Sequence, residues 1–235
     1  MKPLQQSDLG AAERLGVAVL MRSFHPFSGG AETQALRLAE AMLARHVDIR
    51  VVTQRRGPLP RTEVHHGIPI HRVETLRQGH LAALAFLVTS AAWLFRHRRE
   101  VDVVHANRTT SGLIAGLAGL VLRRPVVCKL TGGAEIADKG FRDTILGRVK
   151  IRVLRRTVSR FVAITAAIER DLVAAGVPRD RIVRIPNGIE PRAVTADAPA
   201  VRSELGITPN ALVATFVGRL IPEKGVDWLL ETWSA

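Results

Sequence analysis

Two hydrophobic patterns alternate along this chain: short unbroken apolar runs, and longer stretches with helical spacing. LGVAVLM at 15–21 is a continuous apolar run and reads as a strand buried on both faces. RSFHPFSGGAE follows as a loop. Over 31–45 the apolar residues Ala35, Leu36, Leu38, Ala39, Met42 and Leu43 then recur at helical spacing. Residues 47–53 and 68–73 read as further strands, and 54–67, with its GP and LP pairs, reads as loop. LAALAFLVTSAAWLF at 81–95 is the most apolar run. It falls short of the roughly 18 residues a membrane span needs, so a buried or interfacial helix is expected. The RHRR that follows suits a helix C-terminus, where the dipole favours cations.

The alternation continues. Strands are expected at 101–106, 125–130, 160–165 and 181–185, and helices at 111–122, 138–157 and 166–175, the last stopped by Gly176 and Pro178. Alternation with short loops predicts an α/β fold: a doubly wound parallel sheet, Rossmann-like, with helices on both faces. Residues 1–14 read as a disordered lead, 15–190 as one domain, and the Ala/Pro-rich 191–204 as a linker. The remainder, 205–235, reads as the first βα unit of a second, incomplete Rossmann-like domain: VATFV as a buried strand, a loop, then an amphipathic helix from Val226. That helix holds Trp228, Leu229, Leu230 and Trp233 with no expected partner, so the chain is expected to be a fragment.

Composition narrows the function classes. One cysteine, Cys128, lies inside PVVCKL and is expected in the core, which excludes a disulfide framework. The first sixteen residues hold no apolar signal segment, so the cytoplasm is the expected compartment. The net charge of +13 comes from 34 basic residues of which 29 are arginine, while tyrosine is absent and aromatics are 4%. Stacking platforms for single strands are therefore scarce, and no nucleic-acid partner is expected. The charge points instead to anionic substrates or an acidic membrane surface. The basic stretch 142–156 carries an apolar stripe of Leu146, Val149, Val153 and Leu154, which suits peripheral contact with anionic lipid as well as a plain solvated face.

In a doubly wound sheet ligands sit beyond the C-terminal ends of the strands, so the residues that follow strands are the candidates. GGAE occurs twice in such places, as Gly29-Gly30-Ala31-Glu32 and as Gly132-Gly133-Ala134-Glu135. Glycines there let the backbone approach a ligand, and free N–H groups at a helix start favour phosphate. Tight turns and first-turn carboxylates account for the same residues without a ligand. Glu135 is the candidate catalytic carboxylate. His105 at a strand end, and Asn187 and Gly188 in PNGIE, complete the cleft candidates with Glu32, Gly132 and Gly133. Arg219 and Lys224 are five residues apart across a strand-to-helix loop, a planar fork and a point charge that together suit a diphosphate. No metal site is expected, because His25, His65, His66 and His71 lack ligand partners at useful spacing. Neither GxxxxGK[ST] nor GxGxxG occurs.

Several separate stretches together resemble the family 4 (group 1) retaining glycosyltransferases of the GT-B fold. They are SGGAE at 28–32 with its following helix, DVVHAN at 102–107, SRFVAITAAIERDLVAAGVPRDRIVRIPNGIE at 159–190, and VGRLIPEKGVDWLL at 217–230. The resemblance implies an acceptor-binding N-terminal domain over 15–190 and the start of a nucleotide-sugar-binding domain over 205–235. It places Gly29 and Gly30 over the cleft near the donor phosphates, and Arg219 and Lys224 on the diphosphate. It implies no cofactor, a UDP- or GDP-sugar as donor, and metal-independent transfer with retention to a hydroxyl of a lipid-linked saccharide, polysaccharide or small acceptor. Separately, the missing signal segment and the basic stretch 142–156 give the expectation of a cytoplasmic protein with peripheral contact at the inner face of the plasma membrane. Two departures stand out. The family often has His-Gly where this chain has Thr131-Gly132-Gly133, and the family's downstream Glu-x7-Glu segment is not in these 235 residues. The 235-residue chain alone is therefore expected to be inactive. The competing expectation is a non-catalytic Rossmann-like module that binds a nucleotide or a lipid.

Overall fold

The computed structural model describes residues 14–75, 80–131, 144–189, 197–218 and 220–233. The lead expected at 1–14 lies outside these apart from Arg14. The described residues form two compact units, the first ending at Gly188 and the second beginning at Ile189.

The first unit is built on one eight-stranded sheet. In chain order its strands are β1 (Gly16–Leu20), β2 (Asp48–Gln54), β3 (Thr62–His65), β4 (Ile68–Val73), β5 (Val103–Asn107), β6 (Val126–Leu130), β7 (Arg160–Ala163) and β8 (Ile182–Arg184). The spatial order is β3-β4-β2-β1-β5-β6-β7-β8, and every pair is parallel except β3 with β4. The helices are α1 (Gly30–Leu43), α2 (His80–Arg96), α3 (Arg108–Leu122), α4 (Ile145–Thr157) and α5 (Ala166–Ala174), with a 3-10 turn at Arg179–Arg181. The sheet reverses its winding between β1 and β5: the chain moves outward one way through β2 and β4, and the other way through β6, β7 and β8. That reversal opens the crevice in which such folds bind ligands.

Strand alternation sorts the core into two layers. Val17, Val19, Ile49, Val51, Ile68 and Ile70 face one side and pack with Ala35 and Ala39 of α1. Ala18, Leu20, Val52, Val104, Ala106 and Cys128 face the other and pack with Phe86 and Leu94 of α2, Ile114 of α3 and Leu154 of α4. Burying each large side chain of this set stabilises the fold by about 1.5–3 kcal/mol. Cys128 is buried, as expected of a core thiol. Its sulfur explains why α3 carries a glycine above it: a Cβ on Gly112 would stand 2.6 Å from Cys128 Sγ and 3.1 Å from Leu154 Cδ2.

Three expectations need correction. The stretch 54–67, read as loop, contains β3, which pairs with β4 through a two-residue turn at His66 and Gly67. Both turn residues have positive φ (51° and 77°), the conformation that matches hairpin twist. Leu154, placed on the exposed stripe of α4, is 2% exposed and belongs to the core. Finally, VATFV at 213–217 forms no strand. A strand needs a neighbour for its backbone N–H and C=O groups, and the described residues of the second unit contain no strand. Val213 and Val217 are exposed accordingly.

The second unit holds α6 (Ala198–Glu204), a 3-10 turn at Pro222–Lys224 and α7 (Val226–Trp233). α6 lies inside the stretch read as linker. On α7, Trp228, Leu230 and Trp233 are all exposed, as its sequence led us to expect. Among the described residues no helix is long and apolar enough to cross a membrane.

Candidate functional site

The β1–α1 junction is the best-formed part of the site. Met21 leaves β1 buried, Phe24 anchors the loop in the core, and Gly29 caps α1 with extended backbone (φ −166°). A Cβ on Gly29 would stand 2.5 Å from Glu32 Oε2, so a side chain there would displace that carboxylate. The Glu32 carboxylate therefore folds back beside the start of α1, where the helix dipole favours an anion. Gly30 differs, because a Cβ there would meet nothing within 4 Å. Internal packing does not explain that glycine, and the backbone of the first helical residue stands open.

The loop is held from below by a buried cation. The side chain of Arg72 on β4 is 1% exposed and pairs with Glu63 of β3 at 2.8 Å. Its Nη2 donates to the backbone carbonyl of His25 at 2.7 Å, and its Nη1 donates to the carbonyl of Pro60 at 3.2 Å. The Arg72 hydrogen bond holds the Glu63 carboxyl below its usual range, with the charges of Arg72, His25 and His65 adding to it against the opposing effect of burial. Arg72 thus fixes the β3–β4 hairpin to the segment that presents Gly29 and Gly30. The His25 ring stacks on His65 at 3.6 Å between centroids, and His65 on His66 at 4.2 Å.

A second link crosses the sheet. Gln34, in the first turns of α1, donates from Nε2 to the carbonyl of Gly188 at 2.8 Å. Gly188 and Asn187 follow β8, the outermost strand of the parallel run, and both are exposed. The two glycine-bearing segments, 154 residues apart in sequence, therefore meet at one C-terminal edge of the sheet.

His105 stands on β5 opposite Val19 of β1 and Val127 of β6. Its Nε2 is shielded from solvent and has no hydrogen-bond partner. Burial, and secondarily the charge of Lys129, push its pKa down to about 4. It is a neutral packed imidazole at ordinary pH. Lys129 lies on the same face of β6 in register with Asn107, one pleat nearer the C-terminal edge. It is half-buried, and burial lowers its pKa as well.

Sequence reasoning missed Arg72, Lys129 and the β5–α3 junction. At that junction Asn107 is buried with its amide donating toward Met21 Sδ at 3.9 Å, and Arg108 has a positive φ of 72°. A non-glycine residue in that conformation is uncommon and marks a constrained position. Nothing in the letters DVVHANR signals it. Arg72 and Lys129 had a usable signal, each being a cation inside a mostly apolar strand.

Gly132, Gly133, Glu135 and Arg219 lie outside the described residues. Lys224 is described: it is exposed at the end of the 3-10 turn of the second unit, just before Gly225, whose φ is 64°.

A family model described as "Glycosyl transferase 4-like domain" matches residues 29–188. Its ends coincide with Gly29 and Gly188, the two segments that Gln34 ties together. The chain is 27% identical over 221 residues to a D-inositol 3-phosphate glycosyltransferase of Streptomyces scabiei, covering 86% of this chain and 50% of that protein. A protein of the same name from Geodermatophilus obscurus is 30% identical over 213 residues, covering 83% of this chain and 46% of that protein. The chain thus spans about half the length of these relatives. Among solved structures, Anabaena HepE in complex with UDP and glucose superposes with a TM-score of 0.67 at 22% identity, over 94% of this chain and 58% of that one. WaaG, a glycosyltransferase involved in lipopolysaccharide biosynthesis, superposes with a TM-score of 0.64 at 19% identity, over 92% and 58%.

Proposed function

Because the chain belongs to the glycosyl transferase 4-like family, we propose that it is the acceptor-binding domain, with the start of the donor-binding domain, of a retaining sugar transferase. The donor is a UDP- or GDP-sugar, and the acceptor is a hydroxyl of a lipid-linked saccharide or polysaccharide. The observation that carries this reading is the open start of α1 at Gly30, tied through Gln34 to Gly188 at the edge where a doubly wound sheet receives ligands. The solved complex of HepE with UDP and glucose supports a nucleotide-sugar as donor.

In this mechanism the bond between the sugar's anomeric carbon and the diphosphate oxygen breaks, and the acceptor oxygen bonds to the same face of that carbon. The acceptor's proton passes to the departing diphosphate. Charge grows on the diphosphate as the bond stretches, and the N–H groups at the α1 start are suited to answer it. Arg219 and Lys224, which belong to the second unit, have the fork and point-charge chemistry that suits the same anion. No step needs a metal or a cofactor. His105 is too weak a base at neutral pH to deprotonate the acceptor.

The same reading puts the protein at the cytoplasmic face of a membrane. Ile145, Leu146 and Val149 of α4 are exposed beside Arg148 and Arg152, an apolar and cationic surface suited to an anionic bilayer. A non-catalytic nucleotide- or lipid-binding module is the second reading, favoured by Thr131 where the family often has histidine.

Gly30→Asp separates the two. It places a carboxylate where the donor phosphate would sit, yet a Cβ at 30 would meet nothing within 4 Å. Assayed with UDP- and GDP-sugars in the longest reading frame containing this chain, the variant should lose about tenfold or more in kcat/KM. Its stability should hold or rise by about 0.3–1 kcal/mol, since an acid in the first helical turn is favourable. Unchanged transfer would remove the α1 start from the donor site, and no transfer by the parent protein with any donor would favour the non-catalytic module.

A further inference from the structure

At the opposite edge of the sheet, where β7 and β8 begin, Arg152, Arg155, Arg156 and Arg181 line a concavity of about 430 Å³ together with Pro178. Arg152, Arg155 and Arg156 are three and four residues apart, so they project from one face of α4. Like charges at that spacing destabilise a helix, and among the described residues no carboxylate pairs with any of the four. Glu169 of α5 is engaged by Arg179 and Arg184 instead.

One of the guanidinium groups is fixed by backbone. Arg181 donates to the carbonyl of Arg155 at 2.8 Å and to that of Val158. Arg155 lies flat against Gly176, where a Cβ would stand 2.8 Å from its Nη1 and 3.0 Å from its Cζ. Gly176 has a φ of 80°, so the turn after α5 both needs a glycine and leaves room for the guanidinium. Arg181 thus also serves the end of α4, and Arg155 fills the space beside Gly176. Arg152 and Arg156 have no such role: neither side chain has a hydrogen bond or an ion pair among the described residues, and both are exposed at the concavity.

We propose that this four-arginine concavity is a binding site for a phosphate group carrying more than one negative charge. Guanidinium forks match phosphate oxygens in pairs, and the uncompensated repulsion among them is relieved when such an anion enters. The site is separate from the cleft, whose residues follow the C-terminal ends of the strands, so phosphate capture and sugar transfer are independent properties. The phosphate can come from a lipid headgroup at a membrane surface or from a soluble phosphate compound.

Two probes on the 235-residue protein tell these sources apart: inorganic pyrophosphate by calorimetry, and phosphatidylglycerol vesicles, with phosphatidylcholine vesicles as reference, by co-sedimentation. Arg152→Gln/Arg156→Gln removes two forks without touching the contacts of Arg155 and Arg181. Arg96→Gln/Arg99→Gln removes the same charge outside the concavity. The expected result is that the first pair weakens binding by about tenfold or more and the second by less than about twofold, with thermal unfolding of the first variant held or raised and that of the second unchanged. Pyrophosphate binding without vesicle binding identifies a soluble ligand. Vesicle binding that pyrophosphate displaces, and that Arg152→Gln/Arg156→Gln abolishes, identifies a lipid headgroup. Equal loss in both double variants, or no binding of either probe by the parent protein, overturns the proposal and leaves the arginines as helix-end charges.

Discussion

His105 and Arg72 show how single residues of this sheet respond to pH and to substitution. The His105 pKa is about 4 in the folded protein, below the ordinary value of 6.5. Between those values the unfolded chain binds a proton there and the folded chain does not, so stability must rise with pH across that window. Its contribution is complete above about pH 6.5 and is lost as pH falls toward 4. His105→Gln should flatten that part of the stability curve, measured by chemical denaturation at a series of pH values. An unchanged slope would mean that His105 is not the group responsible. Arg72→Met should be far more costly, by about 3 kcal/mol, because it strands Glu63 and the carbonyl of His25 without their partner. The Glu63 carboxyl has a lowered pKa, so its contribution is present above the ordinary carboxylate range and lost as pH falls through the folded value. The penalty of Arg72→Met, read from thermal unfolding, should therefore shrink in acid.

At the scale of elements, α3 and β6 are fitted to each other through Gly112 and Cys128. Gly112→Ala should destabilise by about 1–3 kcal/mol, because its Cβ would overlap Cys128 Sγ at 2.6 Å. Cys128→Ala removes that sulfur and should recover a good part of the loss in the double variant, so a double-mutant cycle should show clear coupling. Additive effects would contradict the packing described. Most elements of this kind were legible in the sequence, because strands buried on both faces appear as unbroken runs such as VAVL, and α1 and α5 keep helical spacing. β3 was not legible, since TEVH alternates weakly on an edge. The turn that makes it, His66-Gly67, is set by backbone angles, and histidine is an unusual residue for the first position. VATFV misled for the opposite reason: its composition suits a strand, but pairing depends on a neighbour that the described residues of the second unit do not supply.

At the scale of the molecule, the chain is one doubly wound sheet followed by a short second unit, and the candidate site is unequally legible. Gly29 and Gly30 stood out as glycines after a strand, and the structure gives them different roles, one under the Glu32 carboxylate and one open. The meeting of Gln34 with Gly188 could not be read from sequence, because it depends on how the sheet order carries β8 and α1 to a shared edge. In the proposed transferase Arg219 and Lys224 are the cations on the donor diphosphate, and kcat/KM tests that role directly. It is measured for transfer from UDP- and GDP-sugars by the longest reading frame containing this chain, beside Arg219→Ala and Lys224→Ala. Each variant should fall by about 10²-fold or more, most of it in kcat, because the interaction strengthens as charge develops on the diphosphate. Turnover equal to that of the parent protein in both variants would contradict the assignment.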